Sequence, residues 1–283
     1  MTKLCPVLIT ASPQLAQLAE QSGVGRVMVD LERNGKFERQ KFRDTWISKH
    51  TFEDIAPVAA ALSNADLMVR INPLFDGSRE EIDIAIAQGA RSIMLPMFRG
   101  LDEIERVGAL IARRCRFIPL VETAEAFEIL GQVAGCDAVD ETFVGLNDLH
   151  ISLGLDFMFE PLTNGMLERG CECLREIGKP FGFGGIARVG EGDLPAEYII
   201  REHARLGSTR VNLSRTFARP GIAPGDTTTG NAETMQREIR KLFDLYDAAH
   251  RATSAQRAAN TAELGNRVDA IVDKIRTARE HAV

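Results

Sequence analysis

Ala85–Leu95 reads AIAQGARSIML. A helical run stops at Gly89, and a short apolar run begins three residues later. The phrase returns at Ala19–Val29 (AEQSGVGRVMV) and at Arg201–Leu213 (REHARLGSTRVNL). Glycine just past a helix adopts the left-handed backbone that ends it. A near-continuous run of Val, Ile, Leu and Met is how a parallel strand reads when both its faces are buried. Helix, glycine, strand, repeated along a chain, is therefore the mark of β/α alternation.

Working outward, strands are predicted at Leu4–Thr10, Arg26–Leu31, Asp66–Ile71, Ser92–Pro96, Phe117–Val121, Glu141–Val144, Pro180–Gly184 and Arg210–Leu213. Segments of 3.6-residue periodicity lie between them: Pro13–Ser22, Thr51–Leu62, Ser78–Gln88, Leu101–Arg113, Ala124–Ala134, Leu162–Ile177 and Pro195–Leu206. Ser12-Pro13 is an N-cap followed by proline at the first helical position. Eight such units in about 250 residues predict an α/β fold, the closed (β/α)8 TIM barrel. The rival, an open doubly wound sheet, usually carries a glycine-rich turn after its first strand. Here that turn is Thr10-Ala11-Ser12-Pro13. Residues 1–218 form the predicted barrel core, 219–231 a Pro/Gly/Thr-rich linker, and 232–283 a C-terminal helical extension completing the barrel. The tail's stripe, Met235, Ile239, Leu242, Phe243 and Tyr246, needs a surface to cover. Either it seals its own barrel or it is an arm exchanged between subunits. The length of the linker favours exchange and hence an obligate homo-oligomer.

Composition narrows the function. The 283 residues are 45% apolar and carry a net charge of −6, which excludes wholesale disorder and gives no basic field for nucleic acid. No apolar run approaches the roughly 20 residues of a membrane span. Five scattered cysteines without C-x-x-C spacing read as reduced thiols in a cytoplasmic protein. No lysine falls at the C-terminal end of a predicted strand, which disfavours Schiff-base chemistry. Gly182–Ala187 loosely matches G-x-G-x-x-A, but the glycines and proline that follow cannot open a helix, so no dinucleotide site is read there.

Function in a barrel sits at the C-terminal strand ends. Read in order, these ends carry Asp30 and Glu32, Arg70 and Asn72, Pro96, Glu122, then Gly145, Asn147 and Asp148. Charges directly after buried strands are costly unless paired or metal-bound. Glu122 and Asp148 follow consecutive strands. Two carboxylates without nearby His or Cys suit a hard cation that keeps several waters, Mg2+ or Mn2+. Taken singly, Glu122 also reads as an N-cap and Asp148 as a first-turn acid. Arg70 stays protonated and suits a carboxylate or phosphate clamp, or an ion pair with Asp30 or Glu32. The segment Arg33–Arg43 (RNGKFERQKFR) is a basic loop on the same side, read either as solvated or as an anion contact. His50 and His150 are the histidines nearest the site.

The order D-L-E, V-R-I-N, L-P, V-E-T-A and V-G-x-N-D-L-x-x-S-L-G, from about Gly23 to Phe217, resembles the HpcH/HpaI aldolase and citrate lyase family. The resemblance implies a phosphoenolpyruvate/pyruvate-type barrel, with Mg2+ or Mn2+ held by Glu122 and Asp148. It implies Arg70 on the carboxylate of a 2-oxo acid, helped by backbone N–H groups near Asn147 and Asp148. Asn72, Pro96 and Gly145 complete the candidate substrate-binding set. The implied activity is metal-dependent carbon–carbon cleavage or formation through a pyruvate-type enolate, with an aldehyde as the other partner. The alternatives are a decarboxylase or acyl-CoA lyase on the same platform, or a non-catalytic relative that retains the pocket. An exchanged last helix, in a trimer or hexamer, is implied as well. The chain departs from the aldolase branch at Glu32-Arg33, where that branch has Glu-His, and at Leu120, where it has Gln. Asp30, Glu32 and His50 are therefore the candidates for proton transfer.

Overall fold

The computed structural model describes residues 3–34, 49–218 and 230–281. The basic positions Lys36, Arg39, Lys41 and Arg43 and most of the predicted linker lie outside them. In chain order the elements are β1 (Cys5–Ile9), α1 (Pro13–Gln21), β2 (Arg26–Asp30), α2 (Ile55–Ala61), β3 (Asp66–Arg70), α3 (Ser78–Ala87), β4 (Ser92–Leu95), α4 (Leu101–Ile111), β5 (Arg116–Val121), α5 (Ala124–Glu128), α6 (Leu130–Gly135), β6 (Thr142–Val144), α7 (Leu146–Ser152), α8 (Met166–Ile177), β7 (Phe181–Ile186), α9 (Ala196–Leu206), β8 (Arg210–Leu213), α10 (Gly230–His250) and α11 (Ser254–Glu280). Every strand pairs parallel with the next, and β1 pairs with β8 to close the barrel.

Period two decides what each strand residue does. Val7, Met28, Met68, Met94, Ile118, Leu120 and Phe143 fill the barrel interior. Residues of the opposite parity, such as Val27, Val29, Leu67, Val69, Ile93 and Phe117, join the helices in the outer core. Each fully buried side chain of this kind contributes about 1.5–3 kcal/mol of transfer free energy. Two steps up the strands from Met28, Met68 and Leu120 stand Asp30, Arg70 and Glu122, so the same alternation carries these charges into the mouth.

Strand β7 runs two residues beyond the predicted end at Gly184. The register against β8 shifts between Gly182 and Gly185, and Gly184 has φ +53°. The glycines form an irregularity inside the strand, not its end. A Cβ at Gly182 would meet the Arg210 carbonyl oxygen at 2.4 Å, so β8 approaches too closely for any larger residue.

The floor of the barrel is ionic. Arg26 donates through Nη1 and Nη2 to Glu141, both at 2.9 Å, and through Nε to Asp66 at 2.7 Å. Arg210 Nε also donates to Glu141, at 2.9 Å, and Arg116 Nη1 to Asp66, at 2.8 Å. Burial by itself would raise the Glu141 carboxyl. The hydrogen bonds and charges of Arg26, then of Arg210, outweigh it and hold the group at about 2.

Outside the barrel, His203 on α9 stacks on Phe183, with ring centroids 3.9 Å apart, and its Nδ1 meets Ser208 Oγ at 2.8 Å. Burial pushes its pKa down to about 3. The folded protein therefore refuses a proton that the unfolded chain accepts below the ordinary histidine value of 6.5. Stability falls as pH drops from 6.5 toward 3, by roughly 1.4 kcal/mol per pH unit for one such group. His250, also lowered mainly by burial, acts in the same direction. Denaturant melts between pH 4.5 and 6.5 should show this slope, and His203→Gln should flatten it; an unchanged slope would exclude His203 as its source.

The first tail helix packs on the barrel of its own chain. Met235, Ile239, Leu242 and Tyr246 of α10 are buried, Tyr246 Oη donates to the Ser208 carbonyl at 2.9 Å, and Phe243 lies against Gly23 at the end of α1. The stripe covers α1 and α9 of its own barrel, in the place of the eighth helix. The gap between α1 and α9 supplies the apolar surface the stripe needs. Leu264, Val268 and Val272 of α11 are buried in the same core, and Arg276 reaches Asp156 at 2.7 Å.

Candidate active site

Asp30 and Arg70 are directly opposed across β2 and β3. The guanidinium forks the carboxylate, Nε to Oδ1 at 2.8 Å and Nη2 to Oδ2 at 2.7 Å. Glu32 stands 3.5 Å from Nη1, and its own N–H donates to Asp30 Oδ1. The ion-pair reading of Arg70 holds in this state. Burial opposes the charge on Arg70, and Asp30 and Glu32 more than compensate, so it stays protonated.

Glu122 follows β5 and is 3% exposed. It is not an N-cap: Thr123 caps α5, accepting from the Ala126 N–H. Oε1 of Glu122 accepts instead from the Met97 N–H at 3.1 Å. Met97 has φ +56°, a left-handed backbone that non-glycine residues rarely adopt. This strained turn after β4 aims an amide at Glu122, and it was not legible in the string Leu95-Pro96-Met97. Burial raises the Glu122 carboxyl well above the carboxylate range; the charges of Glu32 and Asp148 raise it further, against Arg70 and the Met97 N–H. A Cβ on Gly145 would lie 2.9 Å from Oε2, so the glycine leaves that oxygen its space.

Gly145 is also the N-cap of α7, and Asn147 and Asp148 sit half-buried in its first turn. First-turn N–H groups have no partner inside their helix. Pro96 is buried beside Met97. Asn72 is tied to its neighbours: its Nδ2 donates to Glu81 at 2.8 Å, and its Oδ1 accepts from the N–H groups of Arg33 and Asn34. It ties the loop after β2 to α3.

His50 lies against the end of β2. Its Nδ1 accepts from the Asp30 N–H at 3.0 Å. An amide can only donate, so Nδ1 is the bare nitrogen and the neutral ring carries its proton on Nε2. Arg33 donates through Nη2 to the carbonyls of Lys49 and His50, holding this segment at the site. His150 is buried on α7, its Nδ1 at 3.2 Å from the Leu146 carbonyl.

The mouth thus gathers Asp30, Glu32 and Glu122 around one arginine, with Asp148 close enough to raise Glu122. Among the described residues no three His, Cys, Asp or Glu side chains form a closed metal cage. The donor set nevertheless fits a hard cation. Two carboxylate residues, one of them buried and short of positive charge, leave positions for water and substrate, as Mg2+ prefers.

No sequence-family profile matches the chain. It is 25% identical over 207 residues to the 2-keto-3-deoxy-L-rhamnonate aldolase of Klebsiella pneumoniae, covering 62% of this chain and 72% of that one. Among solved structures, an HpcH/HpaI aldolase/citrate lyase family protein of Burkholderia cenocepacia superposes with TM-score 0.58 at 18% identity, over 75% of this chain and 88% of its own. The chain is similar to HpcH/HpaI aldolases and citrate lyases. CitE of Mycobacterium tuberculosis, solved with magnesium and acetate, gives TM-score 0.58 at 14% identity and spans 93% of this chain and 96% of CitE. No helix among the described residues is long and apolar enough to cross a membrane.

Proposed function

We propose that this protein is a divalent-metal-dependent carbon–carbon lyase that forms or cleaves a 2-oxo acid through a pyruvate-type enolate. The observation that carries the reading is the buried, charge-starved Glu122 in the same mouth as the forked Arg70. Glu122 and Asp148 would hold the cation, Mg2+ or Mn2+. When bound, it supplies the positive charge that steadies negative charge developing on the 2-oxo acid.

The chain's own groups do the rest. Arg70 takes the substrate carboxylate on its guanidinium, with Asp30 keeping the fork aimed. The first-turn N–H groups at Asn147 and Asp148 add donors to the same end. Glu32 and His50 flank Arg70 on the β2 side, where a proton must leave and return. His50 offers an Nε2 proton to a carbonyl oxygen, and Glu32 or Asp30 orients the water that accepts a hydroxyl proton. The left-handed turn at Met97 fixes the Glu122 carboxylate before substrate arrives, so less reorganisation is left to the reaction. The other substrate is an aldehyde. A homo-oligomer, trimer or hexamer, and a cytoplasmic location belong to the same reading, on the strength of the family resemblance and the cysteine usage.

Arg70→Lys tests the clamp. An ammonium cannot reproduce two parallel hydrogen bonds, so oxalate affinity in the Mg2+-loaded protein should weaken by roughly 1–3 kcal/mol, read by calorimetry. Equal affinity would leave Arg70 as nothing more than the ion-pair partner of Asp30.

A further inference from the structure

Asp30, Glu32, Arg70, Glu122 and Asp148 stand at or just after the ends of β2, β3, β5 and β6. The sector made by β7 and β8 holds a different set. Arg188 stands two residues past β7, and its N–H donates to Thr216 Oγ1, just after β8, at 3.0 Å. The Ser214 N–H ties the same two strand ends together through the Ile186 carbonyl, at 2.8 Å. In the closed ring β7 is four strands from β3, so Arg188 sits across the barrel from Arg70.

Two nitrogens of its guanidinium, Nε and Nη2, are shielded from solvent and have no hydrogen-bond partner among the described residues. Arginine cannot shed its charge, and buried unmet donors are costly. On β8, Asn212 pairs with Gly185, and its Oδ1 is likewise buried without a donor. The residues that carry them, Arg188 two positions past β7 and Asn212 one position before the end of β8, stand on neighbouring strands toward the mouth. Their chemistry asks for an anionic group and a hydroxyl.

We infer that Arg188, with Asn212 on the neighbouring strand, recognises an anionic group on the aldehyde fragment, making Arg188 the residue that selects charged over neutral aldehydes. The inference rests on the lyase reading above. The 2-oxo acid carboxylate is accounted for by Arg70 on the other half of the mouth, so the unmet fork is left for the opposite end of the substrate. Guanidinium binds carboxylate and phosphate alike through paired N–H donors. Asn212 would accept from a hydroxyl on the same fragment.

The test compares condensation of pyruvate, in the Mg2+-loaded protein, with matched aldehydes: 5-oxopentanoate against pentanal, and glyceraldehyde 3-phosphate against glyceraldehyde. The wild type should favour the anionic member of at least one pair, and that pair identifies carboxylate or phosphate as the group. In Arg188→Gln the ratio of kcat/KM, anionic over neutral, should fall by about 10- to 100-fold, with KM carrying most of the change. Arg188→Lys, which keeps the charge and loses the fork, should fall in between and serves if the Gln variant does not fold. A separate arm needs no turnover: calorimetric titration of glutarate and of inorganic phosphate should show one of them binding to the wild type and not to Arg188→Gln, with oxalate affinity retained. Absence of condensation with every aldehyde would count against the lyase reading, and the titration would then decide Arg188 by itself. An unchanged ratio, or anion binding that survives Arg188→Gln or is absent from the wild type, would overturn the assignment.

Discussion

Glu122→Gln is expected to lower metal-dependent turnover by more than about 100-fold while leaving the protein as stable as before or slightly more so. The activity loss follows from chemistry: an amide oxygen is a poor ligand for a hard cation, and even partners outside the ligand shell are worth 10- to 100-fold. The stability sign follows from the raised carboxyl. A folded-state pKa above the unfolded value means that ionisation costs stability as pH rises through the folded pKa. Glutamine fills the same volume without that cost, and its oxygen still accepts from Met97. Steady-state kinetics beside a thermal melt at pH 8 reads both quantities. A variant that loses stability and activity together would show Glu122 to be a structural group.

Glu141→Ala should do the reverse. Glu141 accepts three hydrogen bonds at the barrel floor, two from Arg26 and one from Arg210. Truncation leaves two arginines facing each other without it, one of them 4% exposed. Removing one partner of such a pair costs about 3–5 kcal/mol. The wild-type pair has a pH signature too. With the folded pKa near 2 and the ordinary value 4.5, its stabilisation is complete above pH 4.5 and is lost as pH falls toward 2. That lowering corresponds to roughly 3 kcal/mol. The mouth is at the opposite end of the strands, so kcat at 10 °C should stay within a few-fold of wild type. Urea melts measure the first effect. A loss below about 1 kcal/mol would mean the arginines find other partners.

The mouth was legible because period two and strand ends are properties of the string. Asp30, Arg70 and Glu122 each stand two residues beyond an apolar residue of the same parity. The floor obeys the same rule from the other end: Arg26, Asp66 and Arg210 open their strands, Arg116 opens β5, and Glu141 directly precedes β6. Their mutual pairing, though, joins residues up to 115 positions apart, and no local pattern reports it. Met97 was hidden because its importance lies in a backbone angle. Arg188 was hidden by glycines that read as the end of β7. The tail stripe was visible, but the surface it covers was not, since a stripe specifies only that something apolar must face it.

The central claim is that this mouth generates a pyruvate-type enolate, and that claim can be examined without knowing the aldehyde. Pyruvate incubated in D2O with the Mg2+- or Mn2+-loaded protein should exchange its methyl protons, followed by proton NMR. Exchange should vanish on chelation and in Glu122→Gln. Oxalate or pyruvate binding with no exchange above the protein-free rate would contradict the account.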